Sequence, residues 1–445
     1  MQFSIPDEVK QILKTFKDKG FEIYIVGGSV RDLLTGRMVT DWDFTTNATP
    51  EEMQKFLPDA FYDNKFGTVG IPSSEGSKPH EITTFRTEQG YSDQRHPDKI
   101  SWGKTLEEDL QRRDFTINAM AYSEHVIDPY AGQKDLEKKL IRAVGDAQER
   151  FSEDALRMMR AVRIASELGF KIEEKTLEAI KNNVGLINKI AKERVRDEIL
   201  KLLVSPNPAE GILLLRESGL LVEILPELEK TFGVEQKSPG RHHIYDVGTH
   251  SLNALKFCKS SDPITRFATL IHDIGKPQTY KVLPTGTITF YNHEVVGTQI
   301  AKRIAERLKL SNKQSEKLIR LVQYHQFTVN ETQTDSSIRR FIRNVGPEYI
   351  EDMLALRTGD RLGGGATETS WRLEEFKKRL VEVQKQPFSI RDLKIDGTDV
   401  MKELKIKPGP KVGEVLEKLF KEVLDKKVEN SKEALLLKVR QNKTG

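Results

Sequence analysis

The chain has 445 residues and carries 71 Lys and Arg against 67 Asp and Glu, a net +4 that is too small by itself to argue for a nucleic-acid partner. With 37% hydrophobic and 31% charged residues it reads as a folded chain, and no run approaches the ~20 apolar residues that a membrane span needs. One cysteine, Cys258, excludes a disulfide framework and fits a reducing, cytoplasmic setting, and the opening MQFSIPDEVKQILKTF lacks the layout of a secretory signal.

This length predicts roughly three or four compact units. The spacing of Val9, Ile12, Leu13 and Phe16 predicts an amphipathic helix over residues 5–19. A short apolar strand, Ile23 to Val26, then runs into a Gly27-Gly28 turn, a short helix with Arg31 and Asp32, and a second strand holding Asp41-Trp42-Asp43-Phe44. Successive strand side chains alternate, so Asp41 and Asp43 are expected on one face and Trp42 on the other. Neighbouring carboxylates repel unless a cation sits between them, and their oxygens suit Mg²⁺ held jointly with substrate phosphates. Glycines at a helix start let backbone N–H groups approach an anion, which places Gly28 and Arg31 at a phosphate. A phosphate cradle beside a metal pair implies phosphoryl or nucleotidyl transfer.

The Gly-Gly-x-x-Arg-Asp turn followed by Asp-x-Asp resembles the signature of the DNA polymerase β-type nucleotidyltransferases. It is most similar to the class II branch, the tRNA CCA-adding enzymes and bacterial poly(A) polymerases. That resemblance implies an α+β fold, with a small mixed sheet in a catalytic head and an all-α remainder.

After a Pro50-led helix start come strands at Gly67 to Ile71 and His80 to Phe85, separated by a polar turn at Pro72 to Pro79. Glu81, on the second of these, is a candidate third carboxylate. Thr87 to Leu106 reads as a long polar loop. Arg112-Arg113-Asp114 then precede an expected apolar helix, and RRDFTINA is similar to a family element that would set Arg113 against the nucleotide. Ile127-Asp128-Pro129 and Ile141 to Gly145 close the head.

RFSEDALRMMRAVRIASELGF reads as one helix from a Ser152 N-cap to a Gly169 stop. Asp154, Arg157, Arg160 and Arg163 recur every third residue and sweep around it, while Leu156, Met159, Val162 and Ile164 supply apolar surface. The resemblance implies that Asp154 and Arg157 are the protein template that selects CTP and then ATP, with Arg160 and Arg163 lining the nucleotide site. KERVRDEILKLL resembles the family's last neck motif, with Glu193 and Arg196 at the matching positions. Pro206 and Pro208 interrupt the chain before a helical stretch at Ala209 to Leu228.

A unit expected to begin near Gly240 holds His250, His272-Asp273, His293, His325 and Asp360. Imidazoles and carboxylates in such a cluster suit one or two divalent metals that activate water. The order resembles the HD superfamily of metal phosphohydrolases, which implies a metal on His250, His272, Asp273 and Asp360. From Gln384 to Gly445, 15 Lys and Arg face 10 Asp and Glu, an excess of 5. Within it Phe388 to Arg440, two helices punctuated by Pro408-Gly409-Pro410, resembles a tRNA-contacting tail in which Lys407, Lys411 and Lys418 reach phosphates.

The expected division is a catalytic head at 1–145, a base-selecting neck at 146–228, an HD body at 229–380 and a tail at 381–445. The expected activity is Mg²⁺-dependent, template-independent addition of CCA to tRNA from CTP and ATP. One metal ion activates the tRNA 3′-hydroxyl and the other clamps the triphosphate. FGTVGI after the aspartates is the CCA-like version, where poly(A) polymerases usually carry a basic stretch. A long loop before RRDFT separates the chain from CC-adding specialists and leaves A-only addition open. A second hypothesis makes the HD unit the main activity, as a phosphohydrolase or 2′,3′-cyclic phosphodiesterase.

Overall fold

The computed structural model describes residues 3–62, 67–72, 79–89, 99–103, 105–236, 245–327, 334–384, 390–425 and 427–441. Helix α1 (Asp7–Asp18) buries Val9, Ile12, Leu13 and Phe16, as their spacing predicts. Strand β1 (Ile23–Val26) leads through Gly27 into α2 (Gly28–Leu34), and β2 (Asp43–Thr46) and α3 (Pro50–Phe56) follow. Gly27 has φ of 71°, a left-handed backbone that a side chain would strain. A Thr49–Glu52 capping box starts α3 with Pro50 at its first turn.

Next come β3 (Phe61–Tyr62), β4 (Thr68–Ile71), β5 (His80–Thr84), β6 (Arg86–Gln89), β7 (Lys99–Trp102) and α4 (Leu106–Gln111). The polar stretch from Thr87 is therefore only partly loop. Arg86–Gln89 and Lys99–Trp102 pair as an antiparallel ribbon, with residues 90–98 between them outside the described set. After α4 the expected apolar helix is a single 3₁₀ turn, Thr116–Asn118. Asp114 Oδ1 accepts from Phe115 N at 2.8 Å and Asn118 Nδ2 at 3.2 Å, and Thr116 N donates to Arg142 O at 2.9 Å. These side-chain and cross-chain bonds draw the backbone groups away from a regular helix.

β8 (Ala121–Tyr122), β9 (Val126–Ile127), α5 (Gly132–Glu137) and β10 (Leu140–Ile141) complete the head. Its seven-stranded mixed sheet runs β3-β4-β5-β2-β1-β8-β9. Both faces are covered. Ile23, Ile25, Phe44 and Ile82 join the main core, while Val26, Phe85, Leu110 and Ala121 form a second cluster. The period of two in β1 produces this division.

The rest is helical: α6 (Ala147–Glu153), α7 (Leu156–Leu168), β11 (Lys171–Ile172) against β10, α8 (Glu174–Asn183), α9 (Lys192–Leu203), α10 (Pro208–Glu217), α11 (Leu220–Ile224) and α12 (Pro226–Glu229). Asp146, not Ser152, caps α6, and Ser152 instead donates to Gln148 O. The helix expected from Ser152 is broken at Asp154, whose φ of −140° and ψ of 102° are extended; Gly169 closes α7 as expected, at φ 68°. The expected start near Gly240 falls outside the described residues.

The body contains α13 (Val247–Phe257), α14 (Pro263–Ile271), α15 (Lys276–Thr279), a small hairpin of β12 (Lys281–Val282) and β13 (Ile288–Thr289), α16 (His293–Arg307), α17 (Asn312–Tyr324), α18 (Asp335–Val345), α19 (Ile350–Gly363) and α20 (Trp371–Gln384). One core runs from Val9 to Val383. A separate core from Leu393 to Val439 holds α21 (Gly397–Leu404), α22 (Pro410–Leu424) and α23 (Lys432–Gln441), one helix more than expected. No helix among the described residues is long and apolar enough to cross a membrane.

Candidate active site

The glycine turn and the acidic strand are tied together by Ser29, which the motif reading passed over. Its buried hydroxyl donates to Asp41 O at 2.8 Å and accepts from Asp43 N at 3.2 Å. Asp41 and Asp43 are both exposed, whereas Trp42 packs on the core. The strand begins only at Asp43, so Asp41 lies just before it and not within it. β2 and β5 run parallel with Asp43 opposite Glu81, so these two exposed carboxylates share the face away from buried Phe44 and Ile82.

A Cβ on Gly27 would stand 3.1 Å from Arg113 Nη1 and 3.7 Å from Asp43 Oδ2, so arginine and aspartate meet over the bare glycine. Arg113 is held from below by Asp109, which also binds Arg112. Burial pushes the Asp109 carboxyl up, but the two guanidinium groups prevail and lower it. Arg113 Nε is buried with no acceptor among the described residues. Arg31 forks onto its neighbour Asp32 at 2.9 and 3.0 Å and donates to Asn118 Oδ1 at 3.0 Å, lying against Gly28. Three of its five N–H donors are so used, and two remain.

The arginine row on α7 is an ion-pair ladder and not a solvated face. Arg157 binds Glu153 at 2.6 Å and donates to Arg112 O at 2.9 Å. Arg160 meets Asp114 at 2.6 Å, and Arg163 meets Glu198 at 2.6 Å and Glu167 at 2.7 Å. Burial raises the Asp114 carboxyl, but Arg160 and Asn118 outweigh it and hold it at about 2. Asp154 does not pair with Arg157. It accepts from Leu156 N at 3.0 Å and binds Arg194 at 2.8 Å. Arg194 and Glu198 on α9 thus face this site. Glu193 is exposed, and Arg196 turns to Asp197 and Lys309 O. Lys407, Lys411 and Lys418 are all exposed in the tail.

In the body, His250 (α13), His272-Asp273 (end of α14) and Asp360 (α19) converge. His250 Nε2 lies 3.1 Å from Asp360 Oδ1, and His272 Nε2 lies 3.2 Å from Asp273 Oδ2. Two further side chains join them: His293 Nε2 is 3.3 Å and His325 Nε2 3.6 Å from Asp273 Oδ1. The cluster therefore splits into two trios that share Asp273, each with donor atoms within 4.8 Å of one another. Among the described residues these are the groups that meet that test, and the head carboxylates do not form such a trio. The Nδ1 atoms of His272, His293 and His325 lie 2.7–2.9 Å from backbone carbonyls of Thr269, Phe290 and Val322. Donation there leaves the Nε2 lone pairs for a cation, the arrangement of metal-ligating histidines. Burial disfavours positive charge at His272, but Asp273 and Asp360 outweigh it, so the cluster's surroundings favour a cation. Lys276 Nζ, 2.6 Å from Asp273 and held by Gln236, adds a further positive charge. A cavity of about 420 Å³ opens onto the cluster.

Three family models match successive stretches: “Poly A polymerase head domain” at residues 23–142, “Probable RNA and SrmB- binding site of polymerase A” at 169–232, and tRNA nucleotidyltransferase domain 2 at 287–439. The CCA-adding enzyme of Ligilactobacillus salivarius is 35% identical over 439 residues, 97% of this chain and 96% of its own length. That of Geobacillus thermodenitrificans is 48% identical over 212 residues, 47% of this chain and 52% of the relative. The crystal structure of the Bacillus stearothermophilus CCA-adding enzyme in complex with CTP superposes with a TM-score of 0.70 at 29% identity, covering 98% of this chain and 97% of that one. With a full-length relative at this identity, and a head built around the glycine turn and Asp41-Trp42-Asp43, the chain belongs to the family of class II CCA-adding enzymes.

Proposed function

We propose that this chain builds or repairs the 3′ end of tRNA in the cytoplasm, adding C, C and A from CTP and ATP without a nucleic-acid template. The observation that carries this reading is the register of β2 on β5, which sets Asp43 beside Glu81 at the glycine turn. Asp41, Asp43 and Glu81 would hold two Mg²⁺ ions, which when bound acidify a 3′-hydroxyl and neutralise the triphosphate. The exposure of these carboxylates and the unmatched Nε of Arg113 beside them fit a cation and an anionic ligand. Gly28 offers its backbone N–H to the phosphates, and Arg31 and Arg113 supply further donors.

Asp154 and Arg157 read the base edge, where an unmatched partner left buried penalises GTP and UTP. Arg160 and Arg163 brace α7 behind them. A tRNA acceptor arm is recognised by shape and backbone, which suits exposed tail lysines such as Lys407, Lys411 and Lys418. We divide the chain accordingly into head (1–145), neck (146–228), a body from 229 to the end of α20 at Gln384, since Leu380 and Val383 join the main core, and a tail beyond it. Full-length relatives named CCA-adding enzymes favour three-nucleotide addition over A-only addition or polyadenylation.

The test uses labelled CTP and ATP with tRNAs ending before each of the three terminal nucleotides. Stepwise C, C and A incorporation is expected, lost in Asp43→Ala and Asp41→Ala while tRNA binding persists. Undiminished incorporation in either variant overturns the head assignment, and ATP-only use points to an A-adding specialist.

A second reading concerns the body. Four histidines, three of them fixed by backbone carbonyls, and two aspartates support a divalent-metal phosphohydrolase of the HD type acting beside nucleotide addition. His250, His272, Asp273 and Asp360 would hold one ion, with Asp273, His293 and His325 for another. Such ions supply an activated water. Hydrolysis lost in Asp273→Asn with addition retained is the expected result. Hydrolysis that survives this change removes the reading.

A further inference from the structure

The cavity over the histidine cluster has a neighbour. A second one, about 430 Å³, is walled by Phe327, Arg357, Arg361, Trp371 and Arg372, and among the described residues no carboxylate lines it. Arg357 lines both cavities, and its Nη1 reaches Asp360 Oδ2 at 2.9 Å. Arg357, Asp360 and Arg361 stand at i, i+3 and i+4 on α19, so one helix face carries the cluster's aspartate between two arginines.

Trp371 is 61% exposed at the start of α20, whose apolar stripe of Leu373, Phe376, Leu380 and Val383 is buried without it. The ring therefore serves no packing role in that stripe. Arg372 lies 5.4 Å from the Trp371 ring centre, and Arg357 5.5 Å from that of Phe327. An exposed aromatic plane among guanidinium groups is the composition of a single-strand nucleotide platform: the base stacks, and the arginines take phosphate.

We infer that this groove binds the base and flanking phosphate of a ribonucleotide whose scissile phosphoester lies at the histidine cluster. The inference rests on the phosphohydrolase reading of that cluster and names its substrate class as a nucleotide, not a simple phosphate monoester. In the reaction a water oxygen forms the new P–O bond, the ester P–O bond breaks, and the departing oxygen takes up the proton that the water loses. Arg357 acts as a positioning residue between the two cavities.

The test uses the full chain in Mn²⁺. AMP and a short oligoribonucleotide with a 3′-phosphate are titrated while tryptophan emission is followed, and subtracting Trp371→Phe isolates that ring from Trp42 and Trp102. A saturable change carried by Trp371 and weakened in Arg361→Ala is expected. Tighter binding of the oligomer assigns an RNA end as the source, and equal binding assigns free nucleotides. In parallel, Trp371→Ala should lower kcat/KM on the nucleotide by about tenfold, the order of one base–aromatic stack, and leave glycerol 2-phosphate hydrolysis within about twofold. No Trp371-specific change, or equal losses on both substrates, overturns the groove. A Trp371-specific change in a protein that hydrolyses neither substrate with Mn²⁺, Co²⁺ or Ni²⁺ keeps the groove and removes the hydrolytic reading.

Discussion

Asp114→Asn tests the joint between head and neck. The carboxylate is 9% exposed and meets Arg160 of α7 at 2.6 and 2.8 Å. Its folded value of about 2, against an ordinary 3.8, corresponds to roughly 2.5 kcal/mol of stabilisation at neutral pH. Arg160 keeps 37% of its side chain in water, so screening trims the figure, and a loss of about 1.5–2.5 kcal/mol is expected. Asparagine can still accept from Phe115 N, but it removes the strongest counter-charge of the guanidinium and leaves only the weaker pull of Glu198 and Asp154. Because the folded value is depressed, the contribution is fully present above the unfolded value near 3.8 and disappears as the pH falls toward about 2. Urea unfolding followed by circular dichroism should therefore show a large gap between wild type and variant at pH 7 that narrows at pH 3. Carboxylates common to both proteins cancel in that difference. A gap below about 0.5 kcal/mol at pH 7, or one unchanged at pH 3, refutes the assignment of Asp114 as a charged strut.

Other changes separate the sites. Asp154→Ala or Arg157→Ala should raise incorporation of UTP and GTP relative to CTP and ATP more than it slows addition, as competition assays with labelled nucleotides would reveal. Unchanged selectivity removes the template role. Arg194→Ala, which frees Asp154 from its 2.8 Å partner, should move selectivity in the same direction, and a purely uniform fall in rate would count against it. Gly275→Ala should remove the divalent ion assigned to Asp273, His293 and His325, so that calorimetry finds one bound ion fewer, with nucleotide addition intact. A Cβ there would stand 2.1 Å from His293 O and 2.6 Å from Gly297 N, driving α16 from the cluster. An unchanged number of bound ions would show that α16 is not needed for that site.

What could be read from the sequence was what the chain brings together locally. Gly27-Gly28 and Asp41-Trp42-Asp43 lie within one hairpin-like excursion, and His272-Asp273 are adjacent, so residue type and spacing pointed to both clusters. Partners supplied by packing were not legible in the same way. Asp154 sits where the backbone leaves the helix, at ψ 102°, so helical spacing does not fix what its side chain meets. Its partner comes from α9, forty positions on, as does the Glu198 that anchors Arg163. His293 and His325 join the cluster because α16 closes on α15 at glycine distance and α17 packs against α16. Ser29 was invisible for the opposite reason: a serine after two glycines is ordinary, and only its bonds to both sides of Trp42 show that it sets the spacing of the aspartates. The chemistry-bearing groups lie in short motifs, and the residues that aim them come from elsewhere in the chain. Substitutions at Ser29, Asp109, Arg194 and Gly275 should therefore disable a site without touching a motif residue.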